Sequence, residues 1–176
     1  MLKLGYSVIL CSFKVPSLEF KLVFLMVHMY QHTLREGIGL RQFLDYYFVL
    51  EASRELPQIS RELFVNTFYT LGMGKFAAGV MDIMHNVFGL EEELLLCAAE
   101  PKIGRMLLDE IMTGGNFGHY DERNAVAMDD SSNPIKRVVL GLKWNWRFRS
   151  LGMAEILCSP FCRLWHFCWM NENGYR

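Results

Sequence analysis

Residues His28–Glu51 read HMYQHTLREGIGLRQFLDYYFVLE: a helix end turning polar, a turn built on two glycines, and an apolar helix start. Upstream, Leu18, Leu22, Leu25 and Met29 recur at helical spacing on one face, with Phe24, His28, His32 and Arg35 on another. Pro16 and Ser17 supply a helix start. Gly37 supplies the stop, because the residue just past a helix takes a positive φ that glycine tolerates. A second helix is expected from about Leu40 to Ser53, with Leu40, Phe43, Leu44, Tyr47 and Phe48 as its apolar face. Two helices joined by so short a turn favour antiparallel neighbours.

The same pattern continues along the chain. Pro57 separates a third helix, about Ser60 to Leu71, and the Gly72–Gly74 loop leads to a fourth, about Lys75 to Phe88. In the fourth, Phe76, Val80, Ile83, Met84 and Val87 are expected inward. Glu91, Glu92 and Glu93 suit a helix N-terminus, where the macrodipole favours negative charge. A helix from about Ile103 to Met112 runs into TGGNFG, residues 119–134 read as a polar loop, and two aromatic helical stretches fall between Ile135 and Trp169. Residues 1–15, apolar and β-branched, read as a strand or an irregular arm. The fold class is all-α or mostly α, a helical bundle-like domain with a short N-terminal strand or arm.

Composition narrows the function. The 176 residues are 52% hydrophobic and 14% aromatic, enough for a core and incompatible with disorder. A formal net charge of -1 gives no electrostatic footprint for nucleic acid. The first apolar run, bounded by Lys3 and Lys14, is too short to span a bilayer, and the second, residues 18–30, is interrupted by Glu19, Lys21 and His28, which are costly in lipid. The five cysteines have no Cys-x-x-Cys spacing, and their odd count with the absence of a secretory leader argues for reduced thiols and a cytoplasmic location.

Several clusters invite a chemical reading. His28 and His32 share a helical face at i and i+4, as two zinc ligands would, but Met29 stands where a zincin places its base. His85, His119 and His166 are dispersed and supply no evident third ligand. The plainer reading is that the pair hydrogen-bonds groups at a helix end. Arg41 and Asp45, also at i and i+4, follow the tight turn among apolar residues and suggest a partly buried polar joint facing His28 or His32. In GGNFG, Asn116 and Phe117 stand between glycines where backbone approaches closely, although no P-loop lysine is present. Asp129 and Asp130 are adjacent in a polar segment, unlike the strand-borne D-x-D that holds paired metal ions. Phe161, Leu164, Trp165 and Trp169 lie near helical spacing and read as a core or docking helix.

Three stretches in order, VPSLEFKLVFLMVHMYQHTLREGIGLRQFLDYYFVL, GRMLLDEIMTGGNFGHYDER and EILCSPFCRLWHFCW, together resemble an uncharacterised nucleotidyltransferase family of bacterial polysaccharide gene clusters, over about residues 15 to 170. The resemblance implies an intact enzyme with a further domain, related to the polymerase-beta superfamily, whose Gly-Ser turn and D-x-D carboxylates bind Mg2+. No such motif occurs here. It follows that residues 16–176 correspond to the helical C-terminal portion and 1–15 to an arm or remnant of a missing catalytic domain, as from a truncated gene. On this reading the chain transfers no nucleoside monophosphate alone, holds no cofactor of its own, and binds nucleotide only when completed by a separate nucleotidyltransferase domain. His28, His32, Arg41, Gln42 and Asp45 would face the cleft, with Asn116 at its rim. Self-association through an uncovered surface is the other partnership expected. Two alternatives stand beside it: a helical interaction protein with an aromatic partner-binding C-terminus, and a metal-dependent hydrolase built on His28, His32 and an acid.

Overall fold

A computed structural model describes residues 6–8, 14–35, 37–56, 58–114, 142 and 145–174. Two short strands, β1 (Tyr6–Val8) and β2 (Lys14–Pro16), pair antiparallel with Ser7 opposite Val15. Helices follow: α1 (Leu18–Arg35), α2 (Leu40–Ala52), α3 (Gln58–Thr70), α4 (Gly74–Asn86), α5 (Pro101–Gly114) and α6 (Met153–Glu172). The mostly helical class with a small β element at the N-terminus is the one the sequence indicates. Glu92–Leu94 forms only a 3-10 turn rather than the helix start suggested by the three glutamates.

The chain divides into two compact units, Met1–Gly118 and His119–Arg176. In the first, α1 packs on α2 and α4 on α5, while α3 touches both α1 and α4. Ser17 starts α1, its Oγ accepting from the Phe20 N–H at 3.3 Å. Leu22, Met26, Met29, Phe43, Tyr46, Leu50, Phe64, Phe68, Phe76, Val80 and Leu107 fill the core. Pairing α4 with α5 requires close backbone approach. A Cβ on Gly104 would overlap the Asp82 carboxylate, and one on Gly79 would overlap the Ile103 side chain. Asp82 is buried at this crossing, and its Oδ1 accepts from Asn86 Nδ2 at 2.8 Å.

The buried face of α2 differs from the expected one. Phe43, Tyr46 and Leu50 point inward, whereas Leu40, Leu44 and Phe48 are exposed. The helix is apolar around most of its circumference, so its composition does not orient it; packing on α1 and α4 does. In α4, Phe76, Val80, Ile83 and Met84 are buried as expected, but Val87 lies past the helix end and is exposed.

In the second unit, a 3-10 turn at Trp146–Phe148 precedes α6. Phe148, Leu151, Ile156 and Pro160 are buried there. The Arg147 guanidinium lies 4.9 Å from the Phe148 ring centroid, and Arg149 bonds the Trp146 carbonyl at 3.2 Å.

Candidate functional site

The end of α1, the turn at Gly37–Gly39 and the start of α2 hold five of the six candidate residues. Gly37 closes α1: its φ is +86°, and its N–H donates to the His32 carbonyl at 2.9 Å. Gly37, Ile38 and Gly39 are all buried, so the turn is packed rather than solvated. Thr33, also buried, satisfies its hydroxyl by donating to the Met29 carbonyl at 2.8 Å.

The two histidines meet along α1. Their ring centroids are 4.3 Å apart and nearly perpendicular, an edge-to-face contact. His28 in turn stacks on Phe24 at 5.8 Å, and Phe24 stacks on Phe20 at 5.4 Å. Four rings at i+4 spacing thus form a ladder up α1, with Phe20 and Phe24 exposed and both histidines half-buried. Among the described residues no group of three His, Cys, Asp or Glu side chains is placed to hold a metal ion.

Gln42 has a definite task. Its Oε1 accepts from the Gly39 N–H at 3.2 Å, satisfying a donor at the α2 N-terminus from the third helical position. Arg41 and Asp45 do not form the partly buried joint expected of them. Both are exposed, and no hydrogen bond or ion pair links one to the other or either to His28. The physical reason is the orientation of α2: Phe43, Tyr46 and Leu50 take the inward face and turn positions 41 and 45 to solvent. Asn116, like Phe117, His119, Asp129 and Asp130, lies outside the described residues.

Two features of this unit carried no sequence signal. The first is the hydroxyl of Tyr46, fully buried and without a hydrogen-bond partner among the described residues. Burial and the neighbouring Cys97 thiol both push its ionisation up. Cys97 is half-buried, and burial raises its thiol to about 11. A tyrosine two residues before an exposed Phe48 gives no hint in sequence that its ring alone is enclosed. The second is a polar clasp on the segment after α4. Arg54 donates to Glu51 at 3.0 Å and to Glu91 at 2.6 Å, holding the Glu91 carboxyl below the usual carboxylate range, and Arg61 donates to the Glu93 carbonyl. His85 fixes the same segment through its Nδ1, 2.8 Å from the Leu90 carbonyl oxygen.

These elements define a helical domain with a packed glycine turn and an aromatic ladder beside it. The model of a protein family described as an uncharacterised nucleotidyltransferase matches residues 5–89, from β1 through α4 and just under half of the chain. That is shorter than the span over which the sequence resemblance runs, and α5 and α6 lie beyond it. No curated protein and no solved structure matches the chain.

Proposed function

We propose that the chain is the helical portion of a nucleotidyltransferase that moves a nucleoside monophosphate from a nucleoside triphosphate to an acceptor, and that it catalyses no transfer alone. The family match over residues 5–89 carries this reading, since it takes in both histidines, the glycine turn and the start of α2. In such a transfer an acceptor hydroxyl attacks the α-phosphate and pyrophosphate leaves. The sequence has no D-x-D, and among the described residues no group of three His, Cys, Asp or Glu is placed to hold a metal ion, which supports looking to another domain for the magnesium site. The carboxylates and their metal are assigned to a separate nucleotidyltransferase domain, and the described part of this chain to positioning nucleotide or acceptor. His28 and His32 are the residues best placed for that work, because their half-buried rings are already held by the ladder. Gln42 acts through the turn, while Arg41 and Asp45 offer solvent-facing charges beside it.

Pyrophosphate release tests the proposal. With Mg2+ and each of the four ribonucleoside triphosphates, the purified chain is expected to stay at the blank. Release above the blank, lost on Asp129→Ala with Asp130→Ala, would overturn the assignment of catalysis to another domain. Adding a nucleotidyltransferase domain that carries the Gly-Ser turn and D-x-D is expected to restore release, with His28→Ala and His32→Ala lowering it. A second reading, a helical interaction protein, is favoured by one observation: the aromatic surface of α6, which lies outside the matched residues.

A further inference from the structure

Helix α6 has two apolar faces. Ile156 and Pro160 are buried on one. Leu157, beside that face, opens an i+4 ridge that turns away from it through Phe161, Trp165 and Trp169, with exposures of 48%, 72%, 68% and 43%. Ala154, Cys158 and Cys162 flank this ridge on one side with His166, which stacks on Trp169 at 6.2 Å, and Cys168 flanks it on the other, all exposed. No charge interrupts it. We propose that this ridge is a self-association surface, on which α6 of a second copy docks antiparallel about a two-fold axis.

The occupant follows from chemistry, area and shape. A membrane surface is a poor match, because interfacial helices carry several Lys or Arg on the polar face, and α6 has one Arg against two Glu. No described helix is long and apolar enough to cross a membrane. Taking ~150–250 Å² for each aromatic side chain, the ridge offers roughly 400–600 Å² per copy, so two copies bury on the order of 1,000 Å², where specific interfaces begin. An i+4 ridge fits the i+4 groove of an identical helix. In the antiparallel register centred on residue 163, Phe161 meets the other copy's Trp165 and Leu157 meets its Trp169. Every layer then pairs a larger with a smaller side chain. Parallel pairing would set Trp on Trp at one end and Leu on Leu at the other. The two most exposed residues fall next to the two-fold axis, where hot spots concentrate.

The exposed thiols make the arrangement measurable. The same register puts Cys158 level with Cys168 of the other copy, whereas two Cys158 residues lie about 15 Å apart along the axis at ~1.5 Å per residue. Sedimentation of the full chain across a concentration series is expected to show a monomer–dimer equilibrium. Phe161→Glu and Trp165→Glu, both at exposed positions, are expected to weaken it at least ~10-fold with unchanged helical circular dichroism. In chains whose other cysteines are alanine, a short bismaleimide is expected to join a Cys158-only chain to a Cys168-only chain, and to join neither to itself. A strict monomer at all concentrations overturns the proposal, as does a dimer indifferent to both glutamate substitutions. A monomer that co-sediments with anionic phospholipid vesicles through Trp165 overturns it too. Efficient Cys158-to-Cys158 coupling overturns the antiparallel register.

Discussion

Gln42 and Asp45 sit three residues apart on α2 yet carry different consequences. Gln42 accepts the Gly39 N–H, a donor at a buried turn that has no intrahelical partner. Gln42→Ala is expected to lower stability by about 0.5–1.5 kcal/mol in a urea melt, the range of a lost cap interaction. Gln42→Glu, which keeps the acceptor, is expected to recover most of the loss. Asp45→Ala is expected to change stability by no more than about 0.5 kcal/mol, since the carboxylate is exposed and joined to no cation among the described residues. A cost several times larger would restore the buried pair with Arg41 that the sequence suggests. Tyr46 gives the opposite sign. Its hydroxyl is enclosed without a partner among the described residues, so Tyr46→Phe removes a desolvated polar group and leaves the ring packing intact. The variant is expected to melt at or above the parent temperature, by up to about 1 kcal/mol of added stability. A fall of that size would place a hydrogen-bond partner on the hydroxyl.

At the scale of elements, the most demanding contact is the α4–α5 crossing. Asp82 and Ile103 occupy the volume that a side chain at Gly104 or Gly79 would need. Gly104→Ala gains helix propensity but must push the Asp82 carboxylate and its Asn86 partner aside. The net effect is expected to be destabilising by about 1–3 kcal/mol, read from denaturant midpoints. A stabilised variant would mean that α5 shifts freely. This crossing also shows what the sequence can and cannot convey. Helix existence was legible from punctuation: Ser17, Gly37 and Gly72 bound real elements. Helix orientation was legible where apolar residues occupy one stripe, as in most of α4. It was not legible in α2, apolar around most of its girth, nor in α6, whose second apolar ridge faces solvent. Asp82 was missed because a carboxylate between Met81 and Ile83 looks like an interruption, and only the bare backbone at Gly104 makes room for it. Of the candidate site, the turn and the histidine contact were readable from spacing. The exposure of Arg41 and Asp45 depended on how α2 rolls.

Across the whole molecule, the buried acidic protons of Tyr46 and Cys97 set how the chain responds to base. Burial raises the Cys97 thiol from its ordinary 9.0 to about 11, and the Tyr46 phenol is pushed up in the same direction. Both groups therefore stay protonated in the folded chain at a pH where the unfolded chain has released its protons. The unfolded state then binds fewer protons, and the slope of stability against pH is negative. For Cys97 the loss is expected to begin near pH 9 and to flatten above about pH 11. Partial solvent access moderates its size. Cys97→Ala is expected to flatten this decline while leaving neutral-pH stability nearly unchanged, and Tyr46→Phe to flatten it further. All four tryptophans follow residue 118, so their fluorescence reports the second unit. The alkaline decline belongs to the first, and is read from denaturant melts followed by circular dichroism. The same burial separates the thiols kinetically: Cys158, Cys162 and Cys168 are exposed, Cys97 is not, and its thiolate is scarce. A chromogenic disulfide at neutral pH is expected to titrate those three cysteines promptly and Cys97 only slowly, with Cys11 replaced by alanine to keep the count clean. Prompt reaction of a fourth thiol, or an alkaline decline unchanged in Cys97→Ala, would mean that Cys97 is open to solvent and that the protons lost on unfolding come from elsewhere.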